Sequence, residues 1–229
     1  MATLILLFGV LRHPDIICGS KCYLHTIGRQ VVYNQHMFPA IFLDRDGVII
    51  ENRADYVRDW SQVVLLPEAV DALSRFRNTQ YKIVLVTNQS AVGRGLISLK
   101  TAEEINQRLA RVIEEHGGRL DAVYMCPHAP NDQCDCRKPQ AGLFLQAAHD
   151  LSLDLNSSWM VGDAWSDLLA GQNANLQGLI LVKTGRGVDQ LQQPKPENLR
   201  EYLVLDDLSS ALASIINTDG FKDPNHPGY

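Results

Sequence analysis

What most constrains this chain is where its polar clusters fall relative to its short apolar runs. Such runs recur at 40–43, 82–86, 121–125, 158–161 and 178–182. Each is short, apolar and flanked by polar residues, as a strand buried on both faces should be. Helical patterns lie between them: Val70, Leu73 and Phe76 follow Pro67 at helical spacing, and Thr101-Ala-Glu-Glu104 reads as a capping box opening a helix to about His116. Further helices are expected near 141–151, 166–174 and 207–216. Strands alternating with helices predict an α/β fold, a Rossmann-like parallel sheet with helices on both faces. Ligands of such sheets bind beyond the carboxyl ends of the strands. Asp44 and Asp46 follow the first run, Thr87 to Ser90 the second, a Cys/His group the third and Asp163 the fourth. One rim should collect them all.

The 229 residues, 45% apolar and 21% charged, suit one globular α/β domain with appendages. A formal charge of −5 argues against a nucleic-acid partner, which would need clustered cations. The run from Leu4 to Leu11 is far shorter than the ~20 residues that span a bilayer. No Lys or Arg precedes it, and Pro14 and Asp15 follow, so it is a poor secretion signal. A cytoplasmic monomer with no membrane partner is expected.

Phe42-Leu-Asp-Arg-Asp-Gly-Val48 places two carboxylates at a strand end, and hard oxygen donors that repel one another suit Mg²⁺. Asp44 can then attack phosphorus as a nucleophile, with Asp46 handling protons. The competing reading is a polar turn. Thr87-Asn-Gln-Ser90 supplies a hydroxyl and successive amides able to cradle a phosphate, or is simply a strand-exit turn. It has no Gly-Lys-Ser/Thr of a P-loop. Asp163 is the natural further Mg²⁺ ligand, while Asp167 reads as a first-turn acid complementing a helix dipole.

Cys126, His128, Cys134 and Cys136 are the most specific cluster, because three thiolates and an imidazole fill a tetrahedral zinc shell and leave no open position. The site is therefore structural. A chance grouping of cysteines is the alternative. Arg137 and Lys138 follow at once, so a zinc-pinned loop would hold two cations as oriented phosphate ligands. Cys18 and Cys22, with His25, lack a fourth ligand and are expected to be inert thiols. Trp60 and Trp165 suit either the pocket border or the core.

Together, Phe-Leu-Asp-Arg-Asp-Gly, Thr-Asn-Gln-Ser, Cys-Asp-Cys-Arg-Lys-Pro and Val-Gly-Asp resemble the haloacid dehalogenase superfamily. More narrowly the chain is similar, over about 38–190, to its D,D-heptose 1,7-bisphosphate and histidinol-phosphate phosphatase group. The resemblance implies no large cap domain, Mg²⁺-dependent phosphomonoester hydrolysis and a phospho-aspartyl intermediate. It makes Asp44 nucleophile and Mg²⁺ ligand, Asp46 acid/base and ligand through its carbonyl, and Asp163 the remaining ligand. Thr87 and Lys138 would stabilise the transferring group. Asn88, Gln89, Ser90 and Arg137 would bind substrate.

The segment Arg53-Ala-Asp-Tyr-Val57 resembles the Gly-Tyr-Val stretch of the heptose enzymes, with Asp55 at the glycine position. It adds Arg53 and Tyr56 to the substrate site and favours a sugar bisphosphate losing its 7-phosphate. Ala164 departs from that group, where a lysine can follow the aspartate, so the contact to a substrate phosphate is either missing or supplied by Arg53, Arg58 or Arg94. Histidinol phosphate is the alternative substrate. A silent zinc-stabilised interaction module is the alternative of another class, and phosphoryl transfer to an acceptor other than water is a third. Residues 1–36 lie outside the resemblance and read as an extension preceding a start at Met37, followed by a phosphatase domain over 37–216 and a flexible tail over 217–229.

Overall fold

The computed structural model describes residues 24–27, 30–33 and 37–218. Cys18, Cys22 and the segment 219–229 lie outside them. The chain divides between His36 and Met37 into two units. In the first, β1 (Leu24–Ile27) pairs antiparallel with β2 (Gln30–Tyr33), with Leu24 opposite Tyr33.

The second unit is built on β3 (Ala40–Leu43), β4 (Lys82–Asn88), β5 (Ala122–Cys126), β6 (Trp159–Gly162), β7 (Gly178–Val182) and β8 (Leu203–Leu205). They form one sheet in the order β5-β4-β3-β6-β7-β8, every neighbouring pair parallel. The helices are α1 (Pro67–Arg75), α2 (Ser90–Gly93), α3 (Leu99–Glu115), α4 (Gly142–Leu151), α5 (Trp165–Asn173), α6 (Gly187–Gln192) and α7 (Leu208–Thr218).

Side-chain alternation along the strands sorts the core into two layers. Ile41, Leu43, Ile83, Leu85, Val161 and Ile180 meet Leu73 of α1, Leu109 of α3 and Leu212 of α7 on one face. Phe42, Val84, Val86, Met160 and Leu181 meet Phe144 of α4 and Leu168 of α5 on the other. Helices on both faces explain why the strands are apolar at successive positions, the pattern that marked them in the sequence. The expected five strands are all present. β8 was not anticipated, since three residues with Leu203 42% and Val204 37% exposed show no periodicity.

One helix boundary is corrected. Ser98, not Thr101, caps α3: its Oγ accepts from the Thr101 N–H at 3.0 Å, which makes Thr101 the third helical residue. Trp60 and Trp165 both pack rather than border the cleft described below. Arg108 stacks 4.7 Å from the Trp60 ring, and Trp165 meets Tyr202 edge-on at 5.5 Å.

From β3 the chain adds strands to one side through β4 and β5, then returns beside β3 with β6 and grows the other way through β7 and β8. The reversal falls between β3 and β6, where open α/β sheets bind ligands. Asp44 and Asp163 leave those two strands, and the Asp44 N–H donates to Val161 O at 3.0 Å.

Ser158 fixes the entry to both strands. Its buried hydroxyl accepts from Ala40 N–H at 2.8 Å and donates to Asp154 O at 2.5 Å. Ser158→Ala strands a buried amide and should cost about 1–3 kcal/mol. The measurement is a lowered urea midpoint at unchanged m, and an unmoved midpoint would contradict this account.

Candidate active site

Lys138 lies at the centre of the rim. Its Nζ donates to Asp44 Oδ1 at 2.6 Å and to Val86 O at 2.8 Å, and lies 2.7 Å from Asp167 Oδ1. All three side chains are nearly inaccessible, at 2%, 6% and 1% exposure for Lys138, Asp44 and Asp167. Burial alone would push the lysine's pKa down, but the Asp167 and Asp44 carboxylates overcome it and the ammonium is held above its ordinary range.

The backbone of Lys138 is held as firmly as its head. Asn88, the last residue of β4, accepts from Lys138 N–H through Oδ1 and donates to Lys138 O through Nδ2, both at 3.0 Å. The Lys138–Pro139 peptide is cis. Arg137 donates to Ser90 Oγ at 2.7 Å and to His128 O at 3.2 Å, tying the cysteine loop to α2.

Asp44, Asp163 and Asp167 each offer an oxygen within 4.8 Å of the others. Desolvation is the main reason that the Asp44 carboxyl is pushed up to about 7; Lys138 counteracts it and the neighbouring acids add to it. Burial likewise raises Asp163, opposed by hydrogen bonds from Arg186. Clustered, dehydrated carboxylates of this kind match the hard oxygen donors that Mg²⁺ prefers. The cradle is tight: a Cβ on Gly47 would stand 2.1 Å from Asp163 Oδ2, and one on Gly185 2.4 Å from it. Both glycines have positive φ, 85° and 58°. The three carboxylates therefore fit a small divalent cation.

Asp46 points elsewhere. Its carboxylate pairs with Arg45, which is 1% exposed and donates to Asn106 Oδ1 at 2.9 Å and to Gln89 Oε1 at 3.0 Å. Gln89 in turn donates to the buried Thr87 Oγ1 at 2.8 Å. Asn88 and Gln89, expected to contact substrate, thus spend their amides on Lys138, Arg45 and Thr87, although both still line the cleft.

The cleft, about 380 Å³ and open to solvent, is lined by Asp44, Asp46, Lys138 and Ser90 and carries Arg53, Arg137 and Arg186. Tyr56 lines it too, with φ 67°. Arg53 pairs with Asp55 at 3.3 Å on the exposed rim. Of the three arginines considered as replacements for a lysine at position 164, Arg53 reaches the cleft; Arg58 and Arg94 do not line it.

Asp167 combines the expected position in the first turn of α5 with a contact that the sequence did not signal. One oxygen accepts from the Ala164 N–H at 3.1 Å and the other faces Lys138. Arg45, Asn106 and Arg186 were missed as well. An arginine between two acids looks like a solvated residue in sequence, and no local pattern says that Arg45 turns into the interior.

Beside the rim, Cys126, His128, Cys134 and Cys136 bring their ligand atoms within 4.8 Å of one another. His128 presents Nδ1, 3.2 Å from Cys136 Sγ and 3.5 Å from Cys126 Sγ. These spacings approach the edges of a tetrahedron with ~2.3 Å metal–sulfur bonds, so the four residues fit a zinc ion. Burial pushes the Cys126 thiol well up, and a metal would be needed to keep it ionised.

A HAD-hydrolase-like family model matches residues 135–211. The D-glycero-beta-D-manno-heptose-1,7-bisphosphate 7-phosphatase of Pseudomonas aeruginosa is 36% identical over 176 residues, covering 77% of this chain and 97% of that protein. The Helicobacter pylori protein of the same name is 40% identical over 144 residues, covering 62% and 83%. Among solved structures, D,D-heptose 1,7-bisphosphate phosphatase from B. bronchiseptica complexed with magnesium and phosphate superposes with a TM-score of 0.72 at 34% identity, covering 79% of this chain and 99% of that one. A HAD-like protein from Mesorhizobium loti gives 0.68 at 30% identity, covering 88% and 94%.

Asp44 holds its proton more tightly folded than unfolded, where its pKa is near 3.8. Its contribution to stability in cation-free protein therefore falls as pH rises from about 4 to about 7. Asp44→Asn removes that slope and should melt a few degrees higher than the parent at pH 8 without divalent cation. Parallel Tm–pH curves for the two proteins would contradict the assignment.

Proposed function

The chain belongs to the D-glycero-beta-D-manno-heptose-1,7-bisphosphate 7-phosphatase family of HAD-type phosphatases, and from that premise we propose that it hydrolyses the 7-phosphate of D-glycero-D-manno-heptose 1,7-bisphosphate. The observation that carries the chemistry is the buried Asp44–Lys138 pair opening into a cleft lined by four arginines. The substrate rests on relatives 36–40% identical that this chain covers over most of their length.

In this reading Asp44 attacks phosphorus, the bond to the sugar oxygen breaks, and Asp46 gives that oxygen a proton. Asp46 then takes a proton from water, whose oxygen attacks the phospho-aspartate and releases inorganic phosphate and free Asp44. Asp46 suits the task because its carboxylate reaches the cleft while Arg45 and Gln89 hold it in place. Lys138 and Thr87 offset charge on the phosphoryl oxygens, and Arg137, Ser90, Arg53 and Tyr56 hold the remainder of the substrate.

Mg²⁺, carried by Asp44, Asp163 and the Asp46 carbonyl, supplies Lewis-acid neutralisation of the phosphoryl group. Zn²⁺ held by Cys126, His128, Cys134 and Cys136 keeps Arg137 and Lys138 in place. The catalytic unit is 37–216, working as a cytoplasmic monomer. Among the described residues no helix is long and apolar enough to cross a membrane.

The test is inorganic phosphate release from heptose bisphosphate and from histidinol phosphate, with and without Mg²⁺. Heptose bisphosphate should be preferred and chelation should abolish turnover; preference for histidinol phosphate, or release from neither, overturns the substrate. Asp44→Asn should lose at least about 10³-fold in kcat with zinc content unchanged. Cys136→Ser should lose zinc and activity together. A Cys136→Ser protein that keeps full activity without zinc would remove the positioning role.

A further inference from the structure

The ion pair between Arg186 and Asp163 plays no part in the mechanism above. Arg186 Nη2 lies 2.8 Å from Asp163 Oδ1 and its Nε 3.3 Å from Oδ2, so the guanidinium covers both oxygens of a proposed cation ligand. The two partners differ in freedom: the Asp163 side chain is 0% exposed and that of Arg186 47%. Arg186 also lines the cleft.

The backbone beneath this arginine is pinned. Thr184 Oγ1 donates to Gly47 O at 2.6 Å, and Gly187 N–H donates to Thr184 O at 3.0 Å. Arg186 N–H donates to Asp163 Oδ2 at 2.8 Å. The main-chain amide can therefore keep Asp163 oriented whether or not the guanidinium stays. Only the flexible stem need move.

Charge decides what it does. With Lys138 and Arg186 beside them, the three ionised carboxylates of Asp44, Asp163 and Asp167 leave a net charge of minus one. Exchanging the guanidinium for a divalent cation brings the cluster to neutrality, whereas retaining both overshoots and sets two cations against the same carboxylate. We propose that Arg186 is a displaceable counter-ion, which holds Asp163 before the divalent cation arrives and is expelled by it into the cleft, where it receives the phosphate. This rests on the Mg²⁺ site proposed above but not on the identity of the sugar.

The full-length protein is titrated with Mg²⁺ alone by calorimetry, as parent, Arg186→Gln and Arg186→Met, and then with inorganic phosphate at saturating Mg²⁺. Both variants should bind Mg²⁺ about tenfold more tightly than the parent and phosphate about tenfold more weakly. Mg²⁺ affinity equal to or below the parent's overturns the displacement, since Arg186 would then be supporting Asp163. Tighter Mg²⁺ with unchanged phosphate affinity overturns delivery to the cleft. A parent enzyme inactive on heptose bisphosphate would sink the substrate assignment while leaving both titrations to be read on their own.

Discussion

The buried ammonium of Lys138 is the interaction on which the rest of the site depends. It lies between Asp44 and Asp167 with Val86 O as a third acceptor, at the floor of the cleft where all three side chains are nearly inaccessible. Removing the lysine from such a cluster would leave two buried carboxylates uncompensated, which costs far more than either pair is worth in isolation. The same dehydration that makes the cluster expensive raises Asp44, and it suits the site to a small multivalent cation. Stability and chemistry therefore pull on the same residues in opposite directions, and a bound cation would reconcile them.

Much of this was legible in the sequence because each strand of the parallel sheet ends in its chemistry. Asp44 after β3, Thr87 near the end of β4, Cys126 at the end of β5 and Asp163 after β6 lie on the side that the topology dictates, so a correct reading of apolar runs already places them together. The cysteine cluster was legible for a different reason, since its ligands come from one short stretch and need no tertiary information. β8 and α6 were not, being too short for a periodic signal.

The residues missed are those whose roles are tertiary. Arg45 is flanked by acids and reads as surface, yet it turns inward to reach Asn106, 61 residues away, and Gln89. Arg186 reaches Asp163 across 23 residues and from another strand's loop. Asp167 obeyed the helix-dipole rule that its position suggests while also gripping Lys138, because a carboxylate has two oxygens and a local pattern accounts for one of them.

The clasp between Asn88 and Lys138 has a further consequence. A side-chain amide that offers one acceptor and one donor to the two polar groups of a single residue imitates a neighbouring strand, so the loop docks on the tip of β4 as if it were one more rung of the ladder. Registration of the ammonium is then set by main chain rather than by the lysine's own flexible stem. The solvent-facing stretch 130–133 stands apart from that rung, and insertions or deletions there can change the mouth of the cleft without displacing the charge at its floor.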